Sequence, residues 1–120
     1  MKATLVDFGK DAAVYTIEGA TRNELENKLN LFFGSQDLPL KKDNGNEKIY
    51  EKGNKVIRVL FGVLVKYFKI KLEIEESNGL FTVKMIRNMN LVLSGGLAGI
   101  HASRKKFGEI SDAFKTYFSA

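Results

Sequence analysis

The apolar pattern opens with two short runs, residues 3–8 and 12–18, whose β-branched and apolar content reads as strands. Gly9-Lys10-Asp11 separates them at the spacing of a hairpin with a short glycine-containing loop. Thr21 and Glu24 then stand as a Thr-x-x-Glu capping box, in which each side chain satisfies a free backbone N–H at a helix start. Leu25, Leu29, Phe32 and Phe33 follow at helical spacing, and Gly34 supplies a C′ stop. The pattern predicts a helix over 22–33.

Residues 35–46 are the least regular, with the single proline, Pro39, and the turn cluster Asp43-Asn44-Gly45-Asn46. Beyond them, 48–52 and 55–61 flank Gly53-Asn54, a two-residue hairpin turn. The segment 56–76 switches parity. Its apolar residues occupy odd positions at first (Ile57, Val59, Phe61, Val63, Val65) and even positions later (Phe68, Ile70, Leu72, Ile74). One strand cannot do this, because its side chains alternate between faces. The pattern therefore predicts a strand over 55–61, an interruption near 62–65 centred on Gly62, and a strand over 66–76. A helix over 57–68 is the alternative, opposed by the β-branched residues Val56, Ile57, Val59, Val63 and Val65. After a turn at Ser77-Asn78-Gly79, a strand runs from Leu80 to near Val92, its apolar face interrupted by Arg87. The chain then passes into a last helix whose stripe is Ile100, Ser103, Phe107, Ile110, Phe114 and Tyr117.

The resulting order, β-β-α-β-β-β-β-α, implies an α+β fold: an antiparallel sheet of about six strands with two helices packed on one face. This order resembles the helix-grip architecture of START-like and Bet v 1-like lipid-binding domains, in which a curved sheet grips a long C-terminal helix. The resemblance is one of element order. It implies that the periodic phenylalanines, core residues in the plainer reading, line a cavity for an apolar ligand.

A chain of 120 residues fits one domain, 1–120, large enough to bury a core without disulfides or metal. The absence of cysteine excludes a disulfide framework, a thiolate metal site and a cysteine nucleophile, and fits a reducing, cytoplasmic setting. No signal peptide is expected from the first residues, and the apolar run Val59–Val65 is too short to cross a bilayer. Charge is divided unevenly. Residues 1–50 carry a net −1 and residues 51–120 a net +6. A basic half points to an anionic partner, or to solubility alone.

The most site-like stretch follows from that division. Gly95, Gly96 and Gly99 mark a strand-to-helix turn, and Arg104, Lys105 and Lys106 come directly after. Such a turn can offer backbone N–H groups to an anion, to which the trio adds charge. The glycines lack the following Lys-Ser/Thr of a Walker A loop and do not fit the dinucleotide pattern. Gly96-Leu97-Ala98-Gly99 spells the GXXG of KH domains, but its middle residues are apolar and the strand order differs. Close helix packing is the plainer reading of the glycines. Placed in the first turns of the helix, the trio opposes the helix dipole, a cost an anion would offset. A second basic set, Lys66, Lys69, Lys71 and Lys84, falls largely on one sheet face, with Tyr67 on the same side and Glu73 and Glu75 diluting its charge. This is only loosely a nucleic-acid platform, and a solvated face is the plainer reading. The one histidine, His101, has no acidic neighbour in sequence, no metal-ligand spacing occurs, and no catalytic residue is assigned.

The expected function is a non-enzymatic binding domain for an anionic or amphipathic partner, lipid-like or a membrane surface, without cofactor or metal and cytoplasmic or peripheral to a membrane. The apolar 61–65 segment beside Lys66 is a candidate membrane-contacting loop, with a buried strand as the plainer reading. The alternative function is a protein–protein or homo-oligomerisation module joined through strand edges or residues 59–65. An enzyme of unknown class ranks third.

Overall fold

The computed structural model describes residues 1–61 and 66–119. Nine elements follow in order: β1 (Lys2–Phe8), β2 (Ala12–Glu18), α1 (Arg22–Ser35), β3 (Leu40–Asp43), β4 (Glu47–Lys52), α2 (Lys55–Phe61), β5 (Phe68–Ser77), β6 (Leu80–Arg87) and α3 (Gly96–Phe118). The six strands form one open antiparallel sheet in the order β1-β2-β6-β5-β4-β3. The chain thus leaves β2 near one edge, crosses through α1, and re-enters at the opposite edge as β3.

Strand alternation decides which face is covered. Ala13, Tyr15 and Ile17 of β2, Phe68, Ile70, Leu72 and Ile74 of β5, and Phe81, Val83 and Met85 of β6 are buried on one side. Against them pack Leu25, Leu29, Phe32 and Phe33 of α1 and Phe107, Ile110, Phe114 and Phe118 of α3. Both long helices therefore lie on one face, as the α+β reading expects. Aromatic rings make the seam between them: Phe32 meets Phe114 edge-on at 5.3 Å, and Phe33 stacks on Tyr50 of β4 at 4.0 Å. Tyr15 donates its hydroxyl to the Ser111 carbonyl at 2.8 Å, fastening α3 to β2.

The capping box forms as read: Glu24 N–H donates to Thr21 Oγ1 at 3.2 Å and Thr21 N–H donates to Glu24 Oε1 at 2.9 Å. Five sequence expectations are corrected. The first is the end of α1, where Gly34 stays helical and the left-handed residue is Asp37 at φ 59°. The Leu38 N–H then reaches back to the Phe33 carbonyl at 2.9 Å. Secondly, 55–61 is a helix, not a strand. The Asn54 side chain caps it, accepting from the N–H groups of Val56 (2.8 Å) and Ile57 (3.2 Å). A cap is worth about 1 kcal/mol, which offsets roughly the few tenths lost at each of Val56, Ile57 and Val59. Moreover, β4 already pairs with β3 and β5, which leaves no edge for another strand there. The parity switch is thus a change of element; the expected interruption at 62–65 lies outside the described residues, as does most of the candidate loop 61–65.

Thirdly, the sixth strand comes from the stretch read as irregular. β3 is exposed at all four positions, so it carries no alternation to read. Its turn to β4 is held by Gly45 N–H donating to Asp43 Oδ1 at 2.9 Å, with Gly45 at φ 82°. Fourthly, β6 stops at Arg87 rather than near Val92. Arg87 is buried and donates from Nε to Asp11 Oδ1, and from Nη1 to Ser94 Oγ and Ser103 Oγ, each at 2.8 Å. A charge so enclosed is tolerable only with these partners. Fifthly, Phe118, not Tyr117, completes the buried stripe of the last helix, which begins at Gly96.

Candidate functional site

Where β4 ends and β5 begins, the chain makes a close passage. Gly53 has φ 90°, and a Cβ placed on it would stand 2.3 Å from the Lys66 carbonyl oxygen. Only glycine accepts both the left-handed backbone and that approach. The passage brings Lys52, Lys66, Tyr67 and Phe68 beneath the first turns of α3. Together with Arg58 of α2 and Gly99, Ala102, Ser103 and Lys106 of α3 they line a cleft of about 330 Å³.

Four cations from four separate places in the chain therefore line one cleft: Lys52, Arg58, Lys66 and Lys106. Lys106 places its ammonium 5.1 Å from the centre of the Phe68 ring, a cation–π contact. Partial burial, and then the charge of Lys52, push the Lys106 ammonium below the ordinary lysine range. Lys66 acts in the same direction, and Asp37 and Glu109 offset part of the effect. Lys52 donates to Asp37 Oδ2 at 2.6 Å, and this bond holds the exposed Asp37 carboxyl below the usual aspartate range. Arg58 turns its guanidinium inward and donates from Nε to the Leu93 carbonyl at 2.8 Å. The Tyr67 hydroxyl donates to Glu51, and its proton is held more tightly by burial and then by that carboxylate. Such a wall can receive negative charge.

The basic trio on α3 is divided among three surroundings. Lys106 lines the cleft and Lys105 is exposed. Arg104 is engaged elsewhere, donating to Asp11 from Nε at 3.1 Å and from Nη2 at 3.2 Å. Because α3 starts at Gly96, the trio stands in its third turn, beyond the reach of the helix-end partial charge, so the dipole argument does not apply to it. Gly95 and Gly96 adopt φ 88° and 77°, but their N–H groups donate to the Val92 and Leu91 carbonyls at 3.0 and 2.9 Å. These two glycines shape the turn, whereas Gly99 is buried against the cleft.

The second basic set divides as well. Lys69, Lys71 and Lys84 share the sheet face opposite the helices, interleaved with acids: Lys69 pairs in register with Glu51, and Lys84 with Glu73. Lys71 lies 3.7 Å from Glu47. Lys69 is pushed below the ordinary lysine range by a bond with the Lys55 amine and then by burial. Lys66 belongs to the cleft instead. His101 is exposed on α3. Among the described residues no group of three or more His, Asp or Glu side chains is placed to hold a metal ion, and no helix is long and apolar enough to cross a membrane.

Sequence reasoning named Lys66 and Lys106 but missed Lys52 and Arg58. Arg58 sits within an apolar run, where the one usable signal was Asn54 as a helix cap. No protein-family model matches the chain, and no curated protein shows significant similarity to it.

Proposed function

We propose that this protein is a non-enzymatic binding domain for an anionic, amphipathic partner, whose charged head enters the cleft between α3 and the β4–β5 passage. One observation carries the reading. Lys52, Arg58, Lys66 and Lys106 come from separate stretches of the chain and meet around a single cleft, and one of them bears a burial cost that an anion would relieve. Phe68 and Ala102 offer apolar wall beside the charge, as an amphipathic ligand requires.

The test uses a short-chain phosphatidic acid below its micelle concentration, titrated into the full chain and followed by amide chemical shifts. Saturable shifts are expected at Gly99, Ala102 and Lys106. Lys66→Glu with Lys106→Glu should weaken binding by about tenfold or more, on a scale of about 1 kcal/mol for each basic residue at an anionic surface. Shifts that do not saturate, or an affinity unmoved by the double variant, would end the proposal.

A second reading, self-association, is favoured by one feature. β1 is an outer strand of the sheet, and Leu5, Val6 and Phe8 on it are exposed. A concentration-dependent dimer on gel filtration that Val6→Lys abolishes would support it; a monomer at all concentrations would remove it.

A further inference from the structure

Helix α2 is inside out. Among its described side chains the one that is buried is a charge, Arg58 at 7% exposure, while Val56, Ile57, Val59 and Leu60 face solvent, Leu60 at 71%. An amphipathic helix in a water-soluble fold has the opposite arrangement. The neighbouring segment repeats it. Arg58 ties α2 to the Leu93 carbonyl, and beside that tie Leu91 and Val92 are exposed. An apolar projection thus stands next to the cationic cleft, with Lys55 at its base and Lys52, Lys66 and Lys106 alongside.

We infer that this projection docks on the surface of a bilayer containing anionic lipids, α2 entering the interfacial layer while the cleft holds a lipid phosphate. The inference rests on the proposed anion-receiving role of the cleft and adds the source of the anion and the orientation of the protein. Charge complementarity selects the occupant. A second copy would bring the same lysines face to face, which like charges oppose. A protein partner would have little to grip, since seven residues of helix extend only about 10 Å. A bilayer supplies both halves of the match: an apolar layer at shallow depth and negative charge above it.

The chain contains no tryptophan, so single reporters are unambiguous. Leu60→Trp places one on α2, and Leu31→Trp places a control on the exposed side of α1. Both are mixed with phosphatidylcholine vesicles, with and without phosphatidylserine. A blue shift of the Leu60→Trp emission, quenched by lipids brominated on the acyl chain and seen only with phosphatidylserine, is the expected result, with no shift for Leu31→Trp. Val56→Asp with Leu60→Asp, which changes only exposed side chains, should lower vesicle affinity about tenfold while leaving the short-chain phosphatidic acid titration unchanged. Vesicle binding that leaves Leu60→Trp in water would overturn the inference and spare the cleft. Insertion without short-chain lipid binding would overturn the cleft reading and spare α2. Tight binding to an acidic protein with none to vesicles would replace the bilayer as the partner.

Discussion

Lys106 is held below its ordinary basicity by its surroundings, so at neutral pH its charge works against the folded state. The sign follows from proton binding. With a lowered folded pKa, the unfolded chain binds more protons in the window between the lowered value and the ordinary lysine value of 10.5, so stability rises with pH there, and the cost is fully present below it. Lys106→Met keeps an apolar arm over Phe68 and removes the charge. It should therefore stabilise the fold in urea at pH 7, by less than about 1 kcal/mol because solvent screens a partly covered ammonium, while weakening anion binding. A destabilised variant that still binds would contradict the role given to this lysine. Asp11 has the opposite sign. Bonds from Arg104 and then Arg87 lower its pKa below the ordinary 3.8, so its contribution is present above that value and lost as pH falls through the lowered one. Asp11→Asn should cost about 1 kcal/mol or less at pH 7, because solvent screens the half-exposed carboxylate, and urea curves of parent and variant should converge as pH falls below about 4.

At the scale of elements, Gly53 and Gly96 separate backbone strain from crowding. Both are left-handed, but a Cβ on Gly96 meets nothing within 4 Å, whereas one on Gly53 collides with the Lys66 carbonyl. Gly96→Ala should cost about 1–2 kcal/mol and leave the cleft unchanged. Gly53→Ala should cost more than about 2 kcal/mol and also weaken anion binding, because Lys66 must move. Equal costs, or an unaltered affinity for Gly53→Ala, would show that the passage does not position Lys66. The same two places mark what the chain reveals in advance. Elements whose burial follows a period were legible: the capping box of α1, the even-numbered buried face of β5, and most of the α3 stripe. β3 was not, since an edge strand exposed at all four residues has no face to betray. Nor was α2, because its aliphatic residues carry a strand-like signal while the fact that decides, a β4 already paired on both edges, is tertiary. The cleft was half visible for a similar reason. Clustered lysines can be seen along the chain, but their meeting with Lys52 and Arg58 depends on how β4, α2 and α3 are placed.

Over the whole molecule, charge is sorted along the strands. The register puts Lys52, Phe68, Arg87 and Ala12 toward one end of the sheet, and Glu47, Glu73, Ser77 and Glu18 toward the other. The first end carries the cleft cations and Lys55, partly offset by Asp11, Asp37 and Glu51; the second carries Glu18, Glu75 and Glu76, partly offset by Lys2. An elongated body of 45 × 24 × 21 Å with its charge so divided should arrive at an anionic surface basic end first. Stopped-flow association with phosphatidylserine vesicles should slow steeply with added salt while dissociation changes little, and a salt-independent association rate would count against this orientation. The passage at Gly53 has one more result. The chain departs from β4 and returns to β5 at a single crossing, where the Gly53 backbone lies against that of Lys66. Between those points α2 is held to the rest of the fold through Arg58, which donates to the Leu93 carbonyl and lines the cleft, while its apolar side chains stay exposed. Substitutions confined to the exposed side of α2 leave that anchor and the close approach of Gly53 to Lys66 in place. The exposed side of α2 is thus a cartridge: changes at Val56, Ile57, Val59 and Leu60 can retune what the molecule adheres to while the scaffold that presents them stays the same.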